Sequence, residues 1–377
     1  MIDAARFGPL MDRALALAER GGGRTAPNPM VGCVIADEAG RILGEGFHRR
    51  AGEPHAEVEA LATARAAGHD VRGAIAVVSL EPCAHQGRTP PCVDALVAAG
   101  IGSVVYGVED PHTGKGGAER LSAAGIPVAG GLRRREAELL VEPWLHFVRT
   151  GRPFFHLKSA ITLNGRVTRG EGKPPSITGE EARRAVHRLR RRYPAVVVGI
   201  GTALADDPLL TVRDWPPAAA AAESGLPWPP VQPLRIVLDS RLRLPPGSRL
   251  AATAAESPVL VLTAPDAPPA RAEALSRRGV EVERVAVGEG GLDLGAVANA
   301  LAARGLTGAL VEPGPQLAGG LLAAGLIDRW TLFVAPIWEP AGDALPLLSG
   351  AAREALALRD PIWEWHGPDF SVSGSLR

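Results

Sequence analysis

Short apolar runs rich in strand-forming residues alternate with helical segments along this chain, and this alternation restricts the fold more than any other feature of the sequence. In the first part of the chain, strands are expected at 31–36, 42–46, 74–80 and 101–108, and helices at 3–20, 54–67 and 93–99. Strands that alternate with helices are typical of a parallel sheet covered by helices.

The alternation stops and begins again at Arg149-Thr150-Gly151-Arg152-Pro153, and 377 residues are enough for two domains. The sequence therefore predicts two α/β domains, residues 1–148 and 149–377. In the second, strands are expected at 154–161, 195–200, 234–239, 259–263, 308–312 and 329–335, and a helix at 179–192. The Ala- and Pro-rich segment 216–230 has no periodicity and is expected to be a surface loop.

Composition excludes several classes of protein. Hydrophobic residues make up 46% and charged residues 22% of the chain, which is a globular balance. No apolar run is long enough to span a membrane, and the acidic residues near the N-terminus do not fit a secretory signal. A net charge of zero argues against a nucleic-acid partner. We therefore expect a cytoplasmic protein that acts on a small molecule and binds neither nucleic acid nor membrane.

Three candidate metal ligands lie at the ends of expected elements. His55 lies with Glu57 in the first turn of a helix, Cys83 follows a strand, and Cys92 begins another helix. One imidazole and two thiolates, with a fourth position left for water, are typical of a catalytic zinc site. Helix N-termini are expected to favour the thiolate form of both cysteines.

Glu57 is expected to take a proton from the zinc-activated water and pass it to a leaving amine. The order of the four residues is that of the recognised zinc-deaminase signature H-x-E…P-C-x-x-C, but eight residues instead of two separate Cys83 from Cys92. The alternative is a closed structural zinc site, which needs a fourth protein ligand, and His85 is the nearby candidate. Cys33 lies in an apolar run and is expected to be an inert buried thiol.

The motifs around these residues resemble the bifunctional deaminase–reductase family of riboflavin biosynthesis. The resemblance is carried by Pro27-Asn28-Pro29-Met30-Val31-Gly32, Gly46-Phe47-His48, His55-Ala56-Glu57 and the segment from Glu81 to Cys92. It implies a cytidine-deaminase-like three-layer domain with zinc. It also implies a phosphoribosylated diaminopyrimidinone substrate that loses its exocyclic amine. The substrate contacts that it implies are Asn28, His48, Arg88 and Asp110.

Two glycine-bearing segments, Gly199 to Arg213 and Glu312 to Gly320, follow expected strands in the second half. Glycines at such turns let backbone N–H groups face a phosphate, but neither segment has the G-x-G-x-x-G pattern, and simple turn glycines are the alternative. Both segments resemble the reductase domain of the same family. This implies a dihydrofolate-reductase-like α/β fold in which NADPH delivers hydride to the ribosyl C1′, and it leaves open a homo-oligomer formed through this domain.

The same resemblance assigns residues to the cofactor and the substrate. Cofactor binding is implied for Ala160, Ser176, Thr202, Asp206, Ser240, Gly314, Pro315, Gln316, Leu317, Ala318, Gly319 and Gly320. Substrate binding is implied for Arg190, Leu210, Arg213 and Glu312, and the two arginines suit a phosphate. For Arg190 the alternative is a solvated helix face, because other arginines crowd that helix: Arg183, Arg184, Arg188, Arg191 and Arg192.

The chain departs from the family pattern at several positions. Asn164 stands where the family has an aspartate, Pro174-Pro175-Ser176 replaces a motif that ends in tryptophan, and Ile337 replaces a lysine. The stretch after Asp110 is shortened, which leaves the role of His112 open. The alternative function is therefore a zinc deaminase of another nucleobase or nucleoside with a weakened or inactive reductase half.

Overall fold

The computed structural model describes residues 4–87, 90–111, 116–168, 176–216, 220–221, 230–340, 342, 344–349 and 356–376. The chain divides into two compact units, Met1–Gly151 and Arg152–Arg377. Of the helices in these described ranges, none is long and apolar enough to cross a membrane. The predicted loop at 216–230 lies mostly outside the described residues.

The first unit contains one sheet and the helices that cover it. Its strands are β1 (Gly32–Ala36), β2 (Ile42–Phe47), β3 (Ile75–Leu80), β4 (Ser103–Val108) and β5 (Val128–Gly130). Its helices are α1 (Ala4–Ala18), α2 (Ala56–Ala66), α3 (Cys92–Ala98), α4 (Gly117–Ala123) and α5 (Arg134–Thr150), with a 3₁₀ turn at Glu19–Gly21. The strand order is β2-β1-β3-β4-β5.

This sheet is mixed, so the prediction of a parallel sheet is wrong for the first unit. β1 runs antiparallel to both β2 and β3, whereas β3, β4 and β5 are parallel neighbours. The reason is the short turn between β1 and β2, in which Asp37 accepts hydrogen bonds from the backbone N–H groups of Ala39 and Arg41. A turn of this length joins antiparallel strands, because a parallel pair needs a longer crossover.

Helix α2 lies in direct backbone contact with β2. A Cβ atom on Gly46 would lie 2.4 Å from the carbonyl oxygen of Ala56, so only glycine fits at this position. The alanines that α2 turns toward the sheet, Ala56, Ala60 and Ala64, are fully buried. This packing fixes the first turn of α2 above the sheet and with it the backbone of His55 and Glu57.

The second unit is built on a nine-stranded sheet. Its strands are β6 (Phe154–Thr162), β7 (Ala195–Gly199), β8 (Leu234–Leu238), β9 (Val259–Thr263), β10 (Glu281–Arg284), β13 (Gly308–Val311), β14 (Arg329–Ala335), β15 (Arg359–His366) and β16 (Asp369–Ser375), and a separate ribbon is formed by β11 (Val287–Gly288) and β12 (Gly291–Leu292). The helices are α6 (Glu180–Arg192), α7 (Ile200–Asp206), α8 (Arg249–Ala252), α9 (Pro269–Ser276), α10 (Leu294–Ala303) and α11 (Pro315–Ala323).

The order of the large sheet is β10-β9-β8-β7-β13-β6-β14-β16-β15. The first seven strands in this order are parallel, and the hairpin β15–β16, which was not predicted, is antiparallel. Because β13 returns to lie between β7 and β6, the segments that follow β7 and β13 leave the same sheet edge side by side. Such a switch point is where parallel α/β sheets usually bind ligands.

Both faces of the central strands are buried. In β7, Val196 and Val198 pack into one apolar cluster, whereas Ala195 and Val197 pack into a second cluster on the other face. A strand covered on both faces reads as a continuous apolar run, which is why β7 was recognisable in the sequence.

Candidate functional site

In the first unit, three candidate ligands converge on one point. His55 is the N-cap of α2, Cys92 is the first residue of α3, and Cys83 lies in the segment after β3. Nδ1 of His55 lies 3.2 Å from Sγ of Cys92 and 3.6 Å from Sγ of Cys83. These spacings suit an ion with bonds of about 2.0–2.3 Å to each ligand, as in zinc sites. Among the described residues, the converging group has three members and does not include His85.

The two thiols differ in their tendency to ionise. Hydrogen bonds from Cys92 and His55 lower the pKa of Cys83 to about 4, although burial opposes the shift. The hydrogen bond with Cys83, together with burial, raises the pKa of Cys92. The prediction that a helix N-terminus favours the thiolate is wrong for Cys83, which does not lie on a helix, whereas Cys92 begins α3. Metal binding requires both sulfurs as thiolates and would release the protons that they carry.

Glu57 lies beside this group in the first turn of α2 and is only 3% exposed. Burial raises the pKa of its carboxyl, and the charge of Cys83 raises it further, while a hydrogen bond with Cys92 opposes the shift. The carboxyl borders a cavity of about 320 Å³ that is also lined by His55 and Cys83. This places a group able to hold a proton next to the open side of the ligand cluster.

Two residues implied by the resemblance, Asn28 and His48, line the same cavity. Nδ1 of His48 lies 3.1 Å from the carbonyl oxygen of Pro54, so this nitrogen carries the hydrogen. Burial lowers the pKa of His48, and its Nε2 accepts from Nδ2 of Asn28 at 3.0 Å. The Asn28 amide is thereby oriented with its Oδ1 free of this contact and able to accept a hydrogen bond from a ligand.

Asp110 also borders the cavity and is 8% exposed. Its backbone N–H donates to Oε2 of Glu81 at 3.1 Å, and the N–H of Ala118 donates to Oε1 of the same carboxylate at 2.9 Å. Glu81 therefore holds the chain on both sides of the shortened stretch. Arg88 and His112 lie outside the described residues.

One wall of the cavity was not predicted. Trp144, Phe147 and Val148 line it from helix α5. Their i, i+3, i+4 spacing marks a single helix face, but the sequence alone does not show whether such a face meets a core or a cavity. These side chains give the cavity an apolar surface suited to a planar ring.

Cys33 is the third cysteine of the chain, and its side chain is fully buried in β1, as expected for an inert thiol. Burial raises its pKa well above the ordinary value. It lies outside the ligand cluster and serves as a matched control for it.

We expect Cys83→Ala and Cys92→Ala each to remove most of the bound zinc, because two remaining ligands hold the ion poorly. Cys33→Ala should keep the full zinc content. Zinc per chain, measured by atomic emission after dialysis, checks this result. Stoichiometric zinc in both ligand variants would contradict the assignment of the metal site.

In the second unit, the two glycine-bearing segments lie against each other. Gly199 is the N-cap of α7 and Gly314 is the N-cap of α11. A Cβ atom on Gly314 would lie 3.1 Å from Oγ1 of Thr202, and one on Gly199 would lie 3.7 Å from the side chain of Leu317. The predicted cofactor residues of the two segments therefore share one sheet edge.

A buried charge cluster lies beside this edge. Nε and NH2 of Arg190 donate to the carboxylate of Glu312 at 2.6 and 3.0 Å. Burial alone would raise the pKa of Glu312, but Arg190 and Lys158 outweigh it and hold the pKa at about 2. Arg190 is 9% exposed, so the alternative of a solvated face is wrong for this residue.

Lys158, on β6, is a member of this cluster that the sequence did not single out. Its Nζ lies 3.8 Å from Oε2 of Glu312, and its side chain is 16% exposed. Burial lowers the pKa of Lys158, and the charge of Arg190 lowers it further, whereas Glu312 opposes the shift. A lysine in the middle of a mostly apolar predicted strand is the sequence signal that could have found it.

The remaining predicted substrate residues lie close to Arg190. NH1 of Arg190 donates to the carbonyl of Thr211 at 3.2 Å, and NH1 of Arg213 donates to Oγ1 of Thr211 at 3.2 Å. Burial and the charges of Arg190 and Arg213 lower the pKa of His187 to about 4. Leu210 is buried beside them with a φ of 54°. The grouped positive charge suits an anionic ligand.

The other predicted cofactor residues are spread along the unit. Ala160 lies on β6, Asp206 ends α7, and Ser240 follows β8. Ser176 donates to the carbonyl of Thr178 at 3.0 Å and accepts from Arg183 at 3.2 Å, so its hydroxyl is tied to the start of α6. The predicted stretch Gly314 to Gly320 forms the beginning of α11 and the turn before it.

Asn164, which replaces the aspartate of the family pattern, joins two loops of the second unit. Its Oδ1 accepts from the backbone N–H of Glu339 at 3.1 Å, and its Nδ2 donates to the carbonyl of Glu339 at 2.6 Å. Aspartate lacks the donor for the second bond. The backbone N–H of Leu163 donates to the carbonyl of Ile337 at 2.8 Å, so the loops after β6 and β14 are joined at both departures. Pro174 lies outside the described residues.

The first unit thus has the fold and ligand set of a zinc deaminase, and the second has a mostly parallel α/β sheet with a cluster of charged side chains at its switch point. Residues 8–108 match the family described as the cytidine and deoxycytidylate deaminase zinc-binding region. Residues 153–370 match the RibD C-terminal domain. The chain belongs to the RibD family of riboflavin biosynthesis, whose members join a zinc-binding deaminase to a dihydrofolate-reductase-like, NADPH-dependent reductase.

Curated relatives cover most of the chain. The riboflavin biosynthesis protein RibD of Escherichia coli is 44% identical over 86% of this chain and 86% of its own length. The RibD protein of Aquifex aeolicus is 39% identical over 96% of both. Among solved structures, a diaminohydroxyphosphoribosylaminopyrimidine deaminase/5-amino-6-(5-phosphoribosylamino)uracil reductase from Thermotoga maritima is 31% identical, covers both chains completely and has a TM-score of 0.82.

Proposed function

We propose that this enzyme deaminates 2,5-diamino-6-ribosylamino-4(3H)-pyrimidinone 5′-phosphate and then reduces the ribosyl group of the product to a ribityl group with NADPH. The observation that carries the proposal is the convergence of His55, Cys83 and Cys92 beside the buried Glu57. The substrate follows from what the Thermotoga maritima protein is described as acting on. The two reactions are consecutive, because the first makes the substrate of the second.

In the deamination, water replaces the exocyclic amine, and ammonia leaves. Zinc held by His55, Cys83 and Cys92 would make a bound water acidic enough to act as a nucleophile near neutral pH. Glu57 takes the first proton from the water oxygen as that oxygen bonds to the ring carbon, and gives it to the ring nitrogen. It then takes the second proton from the new hydroxyl group and gives it to the amine, which leaves as ammonia when the C–N bond breaks and the carbonyl forms. Its burial, which raises the pKa of the carboxyl, suits a group that must hold a proton between pickup and delivery.

Substrate orientation in the deaminase depends on the cavity walls. Oδ1 of Asn28 accepts a hydrogen bond from an N–H group of the pyrimidinone, since Nδ2 is engaged by His48. Trp144 and Phe147 cover the ring face with apolar surface. Asp110, held by Glu81, and Arg88 complete the substrate contacts, and Arg88 suits the ribose phosphate.

In the reduction, the ribose ring opens at the C1′–O4′ bond, O4′ takes a proton, and a hydride adds to C1′. NADPH would supply this hydride. Lys158 is the proton donor for O4′ in our proposal, because its lowered pKa and its place beside Glu312 suit proton transfer from a buried ammonium group. The cofactor is held by Ala160, Ser176, Thr202, Asp206, Ser240 and the turn from Gly314 to Gly320.

The intact cluster of Lys158, Arg190 and Glu312 favours a working reductase over a weakened one. Glu312 orients Arg190 and balances its charge, while Leu210 shapes the adjacent wall. Arg190 and Arg213 then offer two guanidinium groups to the substrate phosphate.

We expect Arg213→Ala to raise KM for the phosphorylated reductase substrate by about 10- to 100-fold, the loss typical of a charge-assisted hydrogen bond of about 1.5–3 kcal/mol. With the dephosphorylated substrate, the variant and the wild type should have similar KM values. Initial-rate measurements at saturating NADPH check this expectation. An equal rise for both substrates would argue that Arg213 does not bind the phosphate.

We propose that the two activities divide at the predicted boundary, with deamination in residues 1–148 and reduction in residues 149–377. Support comes from the division of the chain into compact units between Gly151 and Arg152, and from the family matches on either side of that point in the sequence. Cleavage at a protease site introduced at 149–153 should leave both activities measurable. Loss of either activity on clean cleavage would contradict this division.

We further propose that the reductase domain forms a homo-oligomer through the edge strand β15. Trp363 and Trp365 are 64% and 77% exposed on this strand, and their ring centroids lie 6.0 and 5.6 Å from that of Phe370. An edge strand offers unpaired backbone groups, and a cluster of exposed aromatic rings is typical of an interface.

Replacing both Trp363 and Trp365 by serine should shift the enzyme to monomers, whereas Trp338→Ser, which removes another exposed ring, should not. Sedimentation equilibrium over a range of concentrations measures the change. A monomeric wild type, or a double variant that associates like the wild type, would contradict the proposal.

A cytoplasmic location is the last part of the proposal. The three cysteines are free thiols, and two of them are the proposed metal ligands, which must remain reduced to bind zinc. Cell fractionation with antibody detection tests the location, and recovery in an oxidising compartment would contradict it.

A further inference from the structure

The segment from Asp207 to Arg213 has an irregular backbone that carries two of the proposed substrate residues. Asp207 has a φ of 37° and Leu210 a φ of 54°, and neither is glycine. L-residues rarely adopt such angles, and they persist only where the surrounding structure holds them. Something other than local preference must therefore fix the shape of this segment.

Arg235 holds the segment from below. It lies on β8, has no exposed surface, and its NH1 donates to the carbonyl of Leu209 at 3.0 Å. The same guanidinium donates to Oγ1 of Thr253 at 2.8 Å, to the carbonyl of Thr253 at 3.0 Å and to the carbonyl of Ser257. The guanidinium group of Arg235 thus links this segment to the residues that follow α8 by hydrogen bonds.

Arg235 is unusual because its acceptors are neutral. Among the described residues, none of its hydrogen bonds goes to a carboxylate. Burial lowers its pKa to about 10, which still leaves it charged at neutral pH. The charge of Glu256 opposes this shift, but Glu256 accepts none of these hydrogen bonds, so the neutral oxygens around the buried cation must be closely arranged. Its carbonyl partner in the segment, Leu209, is next to the strained Leu210.

Gln232 holds the other end of the segment. Its Oε1 accepts from the backbone N–H of Val212 at 2.7 Å, and its Nε2 donates to the carbonyl of Val212 at 3.1 Å. Val212 lies between Thr211, whose carbonyl accepts from Arg190, and Arg213. The segment is therefore held by side chains at Leu209 and Val212, the residues that directly precede Leu210 and Arg213.

We propose that Arg235 and Gln232 are positioning residues for substrate recognition in the reductase. They hold Leu209 to Arg213 in the shape in which Arg213 meets the substrate phosphate, without touching the substrate themselves. This inference rests on the proposed function of Arg213. Preorganised groups bind more tightly because less conformational freedom is lost on binding.

The test compares four variants of the full-length enzyme with the wild type and with the Arg213→Ala variant. Gln232→Leu, Arg235→Lys and Arg235→Met alter the positioning residues, and Arg277→Met is a matched control, since Arg277 forms an exposed ion pair with Glu273. For each, we measure kcat and KM for the phosphorylated reductase substrate, the Kd for NADPH by fluorescence, and the deaminase rate.

We expect Gln232→Leu to raise KM by about 10-fold or more, the scale of loss that follows small misplacements of binding groups. The kcat, the Kd for NADPH and the deaminase rate should stay near those of the wild type. The KM of Arg235→Lys should lie between those of the wild type and Arg235→Met. Arg277→Met should have the KM of the wild type. If Arg235→Met fails to fold, Gln232→Leu and Arg235→Lys decide the question.

Two results would overturn the inference. In the first, the positioning variants keep the wild-type KM while Arg213→Ala raises it. This result would refute the positioning role but leave the proposed function of Arg213 intact. In the second, substrate KM, kcat and NADPH binding worsen together, which is the mark of a general structural defect. If Arg213→Ala also leaves KM unchanged, the proposed phosphate site is itself wrong.

Discussion

Replacing Glu57 by glutamine should lower deaminase turnover by about 10²- to 10⁴-fold, the range typical of losing a general acid–base group. Glutamine keeps the size of the side chain and its hydrogen-bonding capacity but cannot carry the proton from water to the leaving amine. Zinc content should remain that of the wild type, because the ligands are untouched. Ammonia release and zinc per chain are measured on the same sample.

The matched control for this variant is Glu59→Gln. Glu59 is on the same helix, pairs with Arg49 at 3.1 Å on the surface and lies outside the cavity lining. Its replacement should leave turnover and zinc content unchanged. Should Glu57→Gln retain its zinc together with wild-type turnover, the role of Glu57 in proton transfer would be refuted.

Lys158→Met should abolish most of the reductase activity, again by about 10²- to 10⁴-fold, with the deaminase rate unchanged. Methionine fills the space of the lysine stem, and Glu312 keeps its two hydrogen bonds with Arg190. The lost function is then the proton that Lys158 gives to O4′. NADPH oxidation at saturating substrate measures the rate, and fluorescence titration checks that NADPH still binds.

Lys158→Arg separates two roles of the residue. Arginine keeps the positive charge but does not release a proton near neutral pH, so this variant should be nearly as inactive as Lys158→Met. In the wild type, the lowered pKa of Lys158 should move the alkaline loss of reductase activity below the ordinary lysine pKa of 10.5. Full activity in Lys158→Arg would show that charge alone matters, and full activity in Lys158→Met would remove the residue from the mechanism.

The convergence of the candidate metal ligands could be predicted from sequence because each lies at the end of a locally encoded element. His55 caps α2 and Cys92 begins α3, and both positions follow from short-range patterns. β7 could also be predicted from a local pattern, because its continuous apolar run indicates a strand buried on both faces. Local patterns along the sequence were therefore enough to predict most strands and the clustering of the candidate metal ligands.

Features that depend on contacts between distant segments could not be predicted in the same way. The antiparallel pairing of β1 with β3 and the wall that α5 adds to the cavity arise from tertiary packing. In the second unit, Lys158 and Glu312 meet because β13 inserts beside β6, far from it in sequence. The ionisation of Cys83 likewise depends on His55 and Cys92, not on a helix terminus.

The most direct test of the whole account is to incubate the purified enzyme with the diaminopyrimidinone phosphate, with and without NADPH, and to identify the products by mass spectrometry. Without NADPH, the account predicts one product in which an oxygen has replaced the amine. With NADPH, it predicts a second product that carries two further hydrogens in the sugar chain. An unchanged substrate in the zinc-loaded enzyme, or a deaminated product that NADPH never converts, would contradict it.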